Sequence, residues 1–283
     1  RLECVTARAR SRAGGAEAAM PVLSEAAVRI AAFLAIFAAL AAFELWSPRL
    51  EREELRGALK SRRWATNLSL LVLSSLVLRV VFPAAAVGAA LWAQSHGWGV
   101  LRLLGLGPAV AGAVAFVALD FAVWLEHVAS HKIPLLWRIH RVHHVDQAVD
   151  VTTGLRFHPL EILVSMLWKA TVVVALGPPV VAVLVFEIVL NASAMFSHAN
   201  LRLPGRLDGL LRAVVVTPDM HRVHHSVVPA ETDSNYGFNF VFWDRLFGTY
   251  RERPGRGQEA VEMGLAEWRG GEAARLGWSL AMP

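Results

Sequence analysis

Residues 126–144 read EHVASHKIPLLWRIHRVHH, and the last five of these, HRVHH, recur in identical form at residues 221–225. Eight histidines fall here in three spaced groups: His127 and His131; His140, His143 and His144; His221, His224 and His225. On a helix, residues four apart share a face and residues three apart lie beside it. Each group can therefore point two or three imidazoles at one place. Imidazole is the common neutral metal ligand, suited to iron, zinc and copper. Eight of them exceed the four ligands of a structural zinc site and suffice for two metal ions with positions left open. A lone histidine is ordinarily a satisfied polar residue, whereas three groups at helical spacing point to metal.

The surroundings of these groups are apolar. Hydrophobic residues make up 55% of the 283 residues and charged ones 18%, against about 25% charged in soluble domains, and the mean hydropathy is +0.44. That balance points to a membrane protein and away from an ordinary soluble enzyme. Cys4 is the single cysteine, so neither disulfides nor thiolate ligation can shape the fold, and histidine is left as the ligand. The net charge of +5 comes largely from arginines in loops beside apolar segments. A membrane surface explains them more simply than nucleic acid does, and no nucleic-acid motif is present.

The pattern predicts an all-α, polytopic helical membrane bundle of about four spans, capped by a cytoplasmic histidine-rich helical region. Residues 1–21 read as a disordered tail or upstream extension, not a signal peptide; residues 22–200 as the bundle with the first histidine groups; residues 201–283 as the cap with the second HRVHH. Residues 22–46 are apolar and long enough to span. The loop over residues 47–63 carries Arg49, Arg52, Arg56, Lys60, Arg62 and Arg63, which places it on the cytoplasmic side. A second span runs over residues 64–81, where Pro83 kinks or ends it. Residues 84–107 read as an interfacial or re-entrant piece, and residues 108–125 as a third span delivering Glu126, His127 and His131 to the inner interface. Asp120 inside that span reads equally as a partner of the site or a helix-packing residue. Residues 160–176 and 180–196, joined by Gly177, Pro178 and Pro179, form a hairpin, each arm short enough for shallow insertion. The Gly- and Arg-rich end after Arg251 is weakly patterned and reads as partly extended. All the histidines except His96 then fall at one end of the bundle.

These pieces resemble the fatty acid hydroxylase and sterol desaturase superfamily of membrane di-iron enzymes. The resemblance is carried by the HxxxH at His127 and His131, the HxxHH from His140 and the HxxHH from His221. RFHPLE at 156–161, FSHANLRLP at 196–204, TPDMHRVHHS at 217–226, ETDSNYG at 231–237 and WDRLFGTY at 243–250 add to it. It implies two irons held by His127, His131, His140, His143, His144, His221, His224 and His225, with a ninth or tenth ligand expected from His198 and His158. The plainer reading of His158 is a loop residue bonding a carbonyl beside Pro159. Glu126, Asp146, Glu161 and Asp219 lie close in sequence to these ligands. Each is either a hydrogen-bond partner of a ligand histidine or a solvated charge. Asn235 and Tyr236 sit in a family-like segment without a derivable role.

The resemblance further implies an oxygen-dependent lipid hydroxylase or desaturase, a non-haem di-iron oxidoreductase acting on a fatty acyl, sterol or related lipid. O2 is its co-substrate, and zinc can replace iron on purification. Electrons come from an external ferredoxin- or cytochrome-type donor with its reductase, since no fused redox motif is visible. The Ala- and Arg-rich composition suggests a bacterial cytoplasmic membrane, with the metal site on the cytoplasmic side. The competing readings are a catalytically inactive metal-binding membrane scaffold and a metal transporter. Transporters hold ions near the bilayer midplane, whereas these histidines cluster at helix ends.

Overall fold

The computed structural model describes residues 25–283; the expected tail over residues 1–21 and the first residues of the first span lie outside them. The described residues contain five segments long and apolar enough to cross a membrane: Glu25–Trp46, Gly57–Leu103, Pro108–Lys132, Pro159–Leu176 and Val180–His198. The helices are α1 (Glu25–Trp46), α2 (Gly57–Val81), α3 (Ala85–Ser95), α4 (Val100–Leu103), α5 (Pro108–Lys132), α6 (Pro134–His144), α7 (Pro159–Leu176), α8 (Val180–His198), α9 (Gly205–Leu211), α10 (Pro218–His224), α11 (Pro229–Thr232), α12 (Phe242–Leu246) and α13 (Leu276–Ala281). Among the described residues there are isolated β-bridges but no strand. The molecule is a polytopic helical membrane bundle. Leu76, Val80, Leu91, Trp92, Leu103, Leu167 and Val181 stand exposed on its helices, an apolar surface that suits lipid rather than water.

Local sequence explains the boundaries. Pro108, Pro134, Pro159 and Pro218 each occupy the first turn of a helix, where the missing N–H costs nothing. Pro83 ends α2 just after Val81. The α7–α8 hairpin turns at Gly177, which adopts a left-handed conformation (φ 63°). A Cβ there would lie 2.7 Å from the Gly99 Cα, so two glycines let the α3–α4 turn pack on the hairpin tip. Residues 84–107, expected as one interfacial piece, are thus two short helices held against α7 and α8. A core of Val87, Leu119, Met166, Val173, Val183 and Phe186 joins α3, α5, α7 and α8.

Two expectations change. The basic stretch before residue 64 is not all loop: α2 begins at Gly57 and carries Arg63 into the interior. Arg63 bonds Asp146 at 2.6 and 2.7 Å and Asp150 at 3.0 Å, and these carboxylates let a charged residue lie where the sequence suggested solvent. The chain after Arg251 is also bound down. Val227 N–H donates to Glu262 O and Gly264 N–H to His225 O, while Met263 is fully buried. Ala273 and Met282 pack with Leu70, Val142 and Val145, fastening the C-terminal turn across α2 and α6.

Candidate metal centre

Four elements bring histidines together. α5 supplies His127 and His131 one turn apart, α6 supplies one HRVHH, α10 with its C-cap residue His225 supplies the other, and α8 ends on His198. Two groups form: His127, His131, His140, His144 and His224 in one; His143, His198, His221 and His225 in the other. Within each group the donor nitrogens all lie within 4.8 Å of one another. Successive helical residues diverge by about 100°, so the adjacent histidines of each motif cannot serve one point. The first HRVHH sends His140 and His144 to the five-histidine group and His143 to the other. The second does the reverse, sending His221 and His225 to the four-histidine group and His224 across. The doubled motif therefore interlocks two neighbouring sites, with His144 and His225 rings 4.6 Å apart between them.

The outer nitrogens fix the tautomers. A carbonyl oxygen only accepts, so a ring nitrogen against one must carry the proton. His127 Nδ1 donates to Tyr236 O at 2.7 Å and His224 Nδ1 to Ser234 O at 2.7 Å. His143 Nδ1 donates to Arg156 O at 3.2 Å and His198 Nδ1 to Ala194 O at 2.6 Å. His140 Nδ1 donates to the Glu161 carboxylate at 2.5 Å. Each of these rings turns a bare Nε2 lone pair inward. In the first group all five Nε2 atoms are buried without a hydrogen-bond partner. In the second, His198 Nε2 lies 3.0 Å from His143 Nε2, 3.0 Å from His221 Nε2 and 3.1 Å from His225 Nε2. Two of these, His198 and His143, are unprotonated at Nε2 and cannot bond each other. Metal–nitrogen bonds of ~2.0–2.1 Å put ligands at right angles roughly 3 Å apart. Buried, converging lone pairs at that spacing fit a cation in each group.

Electrostatics agree with this. Burial holds His140, His143, His144, His221, His224 and His225 well below the ordinary histidine range, and neighbouring imidazoles deepen the effect at all but His140. Neutral imidazole is the ligating form.

His158 stands apart from both groups, contrary to the expectation that it supplies a ligand. It is the N-cap of α7: Nδ1 accepts from Leu160 N–H at 3.2 Å, and Nε2 faces Leu280 O at 3.3 Å. Pro159 directs the ring along the new helix instead of into the cluster. Of the four nearby acids, Glu161 alone touches a ligand histidine. Glu126 accepts from Ser165, Asp146 holds Arg63, and Asp219 pairs with Arg49 and Arg222. Burial pushes Asp146 up, but the Arg63 guanidinium prevails and holds it down to about 2. Asp120 accepts from the Trp243 indole at 2.8 Å, a packing role. His96 is exposed and stacked on Trp92.

Several participants were not visible beforehand. Asn235 takes a left-handed φ of 51°, which asparagine tolerates. Its side chain ties Met220 O and Arg251 O, setting the turn that offers Ser234 O and Tyr236 O to His224 and His127. Asp233 lies 3.5 Å from His131 Nδ1. Gly154 lets α8 approach, because a Cβ there would meet Ala194 O at 2.7 Å and His198 Nδ1 at 3.3 Å. The ETDSNYG and RFHPLE segments supply the Ser234, Tyr236 and Arg156 carbonyls, but no periodicity marks a backbone carbonyl as a partner.

A cavity of about 650 Å³ opens from the five-histidine group, within the size of small-molecule sites. His127, His140, Glu126 and Glu161 line one end, and Ile162, Met166, Met195 and Phe238 line the apolar body.

Comparison with known proteins bears on this geometry. The fatty acid hydroxylase family model matches residues 112–249, a segment holding every histidine of both groups. That segment belongs to the fatty acid hydroxylase family. The chain is 33% identical to an ornithine lipid hydroxylase of Rhizobium tropici over 142 residues, 50% of this chain and 42% of that protein. It is 31% identical to an alkylglycerol monooxygenase of Xenopus tropicalis over 137 residues, 48% of this chain and 30% of that protein. A very-long-chain aldehyde decarbonylase of Oryza sativa is 30% identical over 149 residues, 52% of this chain and 54% of that protein. The chain thus spans about a third to a half of these relatives' length. No solved structure matches it. The fatty acid hydroxylase segment begins within α5, so α1 and α2, which wall the cavity with α5, α7 and α8, lie outside the matched residues.

Proposed function

We propose that this chain is a membrane-bound, non-haem di-iron monooxygenase that hydroxylates a lipid chain with O2. The observation that carries the reading is the pair of interlocked histidine groups, bare Nε2 atoms inward, at the end of an apolar cavity. His127, His131, His140, His144 and His224 would hold one iron, and His143, His198, His221 and His225 the other. His158 is left out of this set. When bound, the irons would supply the redox chemistry that side chains lack, inserting one oxygen atom into a C–H bond and reducing the other to water.

The protein's own contribution is positioning. Glu161 and four backbone carbonyls fix the imidazole tautomers before any metal arrives. The cavity wall excludes water and aligns a chain against His127 and His140. The two electrons and two protons the stoichiometry requires come from outside, through a ferredoxin- or cytochrome-type donor and its reductase. Hydroxylation is favoured over desaturation because the relatives' names include a lipid hydroxylase and monooxygenases. The basic stretch from Arg49 to Arg63 lies at the histidine end, since Arg49 pairs with Asp219 and Pro48 bridges Leu201. The excess of Lys and Arg there supports a cytoplasmic orientation for that end.

The test is metal content per chain on detergent-purified protein from iron-supplemented cells, with lipid profiling of cells with and without the chain. About two irons and a newly oxygenated lipid are expected. Two metals with an unchanged lipid profile would favour the inactive scaffold, and absence of metal would end the di-iron reading.

A further inference from the structure

The cavity has a second polar end that metal chemistry does not use. Lys169 of α7, Glu187 of α8 and Arg29 of α1 line its wall inside three apolar helices. Lys169 Nζ lies 3.2 Å from Glu187 Oε1, and Arg29 Nη2 lies 2.5 Å from Glu187 Oε2. Ionisable side chains at such depth face a bundle interior or cavity and mark substrate paths. Here two cations converge on Glu187, and each Glu187 oxygen is already engaged. Glu25 accepts from Arg29 Nε at 2.6 Å at the start of α1. Among the described residues, Arg29 Nη1 and two of the three Lys169 N–H bonds reach no protein acceptor. The unused donors on this wall sit on cations and complement an anionic oxygen acceptor, with the Glu126 carboxylate, which lines the same cavity and accepts from Ser165, as a competing acid.

We propose that Lys169, assisted by Arg29 and steered by Glu187, binds the anionic oxygen group, a carboxylate or phosphate, of an acyl-chain substrate whose chain runs to His127 and His140. This rests on the reading that the cavity holds the lipid to be oxidised. Glu161, which holds His140, and Lys169 lie eight residues apart on α7, roughly 12 Å of helix. Ile162 and Met166 line the interval. The carbon brought to the histidine end therefore lies well along the chain, away from the anionic group.

The experiment is calorimetric titration of the full chain in detergent with palmitate, hexadecyl phosphate and hexadecanol, equal in chain length and differing in head. At least one anion is expected to bind about tenfold or more tightly than hexadecanol, and the tighter of the two identifies the head. Lys169→Met should weaken that anion by about tenfold or more, as expected for a charge-assisted hydrogen bond, with hexadecanol within about twofold. Lys169→Arg should restore most of the affinity. Equal binding of all three amphiphiles, or equal losses on Lys169→Met, overturns the proposal. Glu187→Gln removes the competing carboxylate and should tighten the anion, so unchanged or weaker binding overturns it even where Lys169→Met fails to fold. Metal content of the same preparations separates the two readings: anion preference without metal keeps this site and removes the oxygenase, and metal-dependent turnover without preference does the reverse.

Discussion

Replacing His198 and His158 in turn tests the assembled site where geometry and motif disagree. Both lie in family-like segments, yet His198 Nε2 sits 3.0–3.1 Å from three other imidazole nitrogens, while His158 caps α7. His198→Ala removes the central donor of the four-histidine group and should lower metal content from about two per chain to about one. His158→Ala should leave metal unchanged. It loses a cap contact of 3.2 Å and a contact to Leu280 O of 3.3 Å. An N-cap contributes about 0.5–2 kcal/mol and a weak hydrogen bond about 0.5–1.5 kcal/mol. The sum, about 2 kcal/mol, corresponds to a fall in Tm of roughly 4–8 °C for a large domain. The assay is plasma mass spectrometry for metal beside differential scanning fluorimetry in the same detergent. Metal loss from His158→Ala without a change in Tm, or full metal in His198→Ala, would refute the reasoning.

Glu161→Gln keeps an acceptor for His140 Nδ1 but removes its charge. Metal affinity should fall about 10–100-fold, read by chelator competition, and an unchanged curve would show that the 2.5 Å contact does not tune the ligand. Gly154→Ala forces a methyl against Ala194 O and His198 Nδ1, so it should cost about 1–3 kcal/mol and reduce metal content. A stable, fully loaded variant would contradict the packing. Arg63→Met leaves Asp146 and Asp150 buried without their cation and should destabilise by about 3–5 kcal/mol in thermal unfolding, whereas a loss below about 1 kcal/mol would mean the ion cluster relaxes. Metal-free protein should weaken steeply as pH falls through about 6.5. Six cluster histidines outside the spans are held neutral when folded but protonate when unfolded, so the unfolded state binds more protons there and stability drops by about 1.4 kcal/mol per histidine per pH unit. A flat melting temperature between about pH 7.5 and 5.5 would show that the rings are not held neutral.

Much of this molecule was legible because hydropathy and helical spacing are local properties. The five apolar segments, the hairpin turning at Gly177 and the helix starts at Pro108, Pro134 and Pro159 follow from composition and from proline and glycine backbone chemistry. The histidine spacings already implied two-ligand faces, but the three imidazoles of each HRVHH divide two and one between the groups. Spacing alone could not divide nine nitrogens between two groups, because that depends on the angle at which α6 and α10 face each other. The choice of His198 over His158 was equally invisible, since both stand at helix ends and only the direction of the chain beside Pro159 separates them. Backbone carbonyls of Arg156, Ser234 and Tyr236 carry no side-chain signature, so their hold on His143, His224 and His127 comes from the turns alone. The same is true of Lys169, Glu187 and Arg29: three isolated charges in three apolar runs become one site when long-range packing sets α1, α7 and α8 around a common cavity. The sequence by itself determined which residues can bind metal and which segments can enter a membrane, because both are matters of residue chemistry and local period. The tertiary structure decided which lone pairs converge and which charges share a wall, because those depend on contacts between elements far apart in the chain.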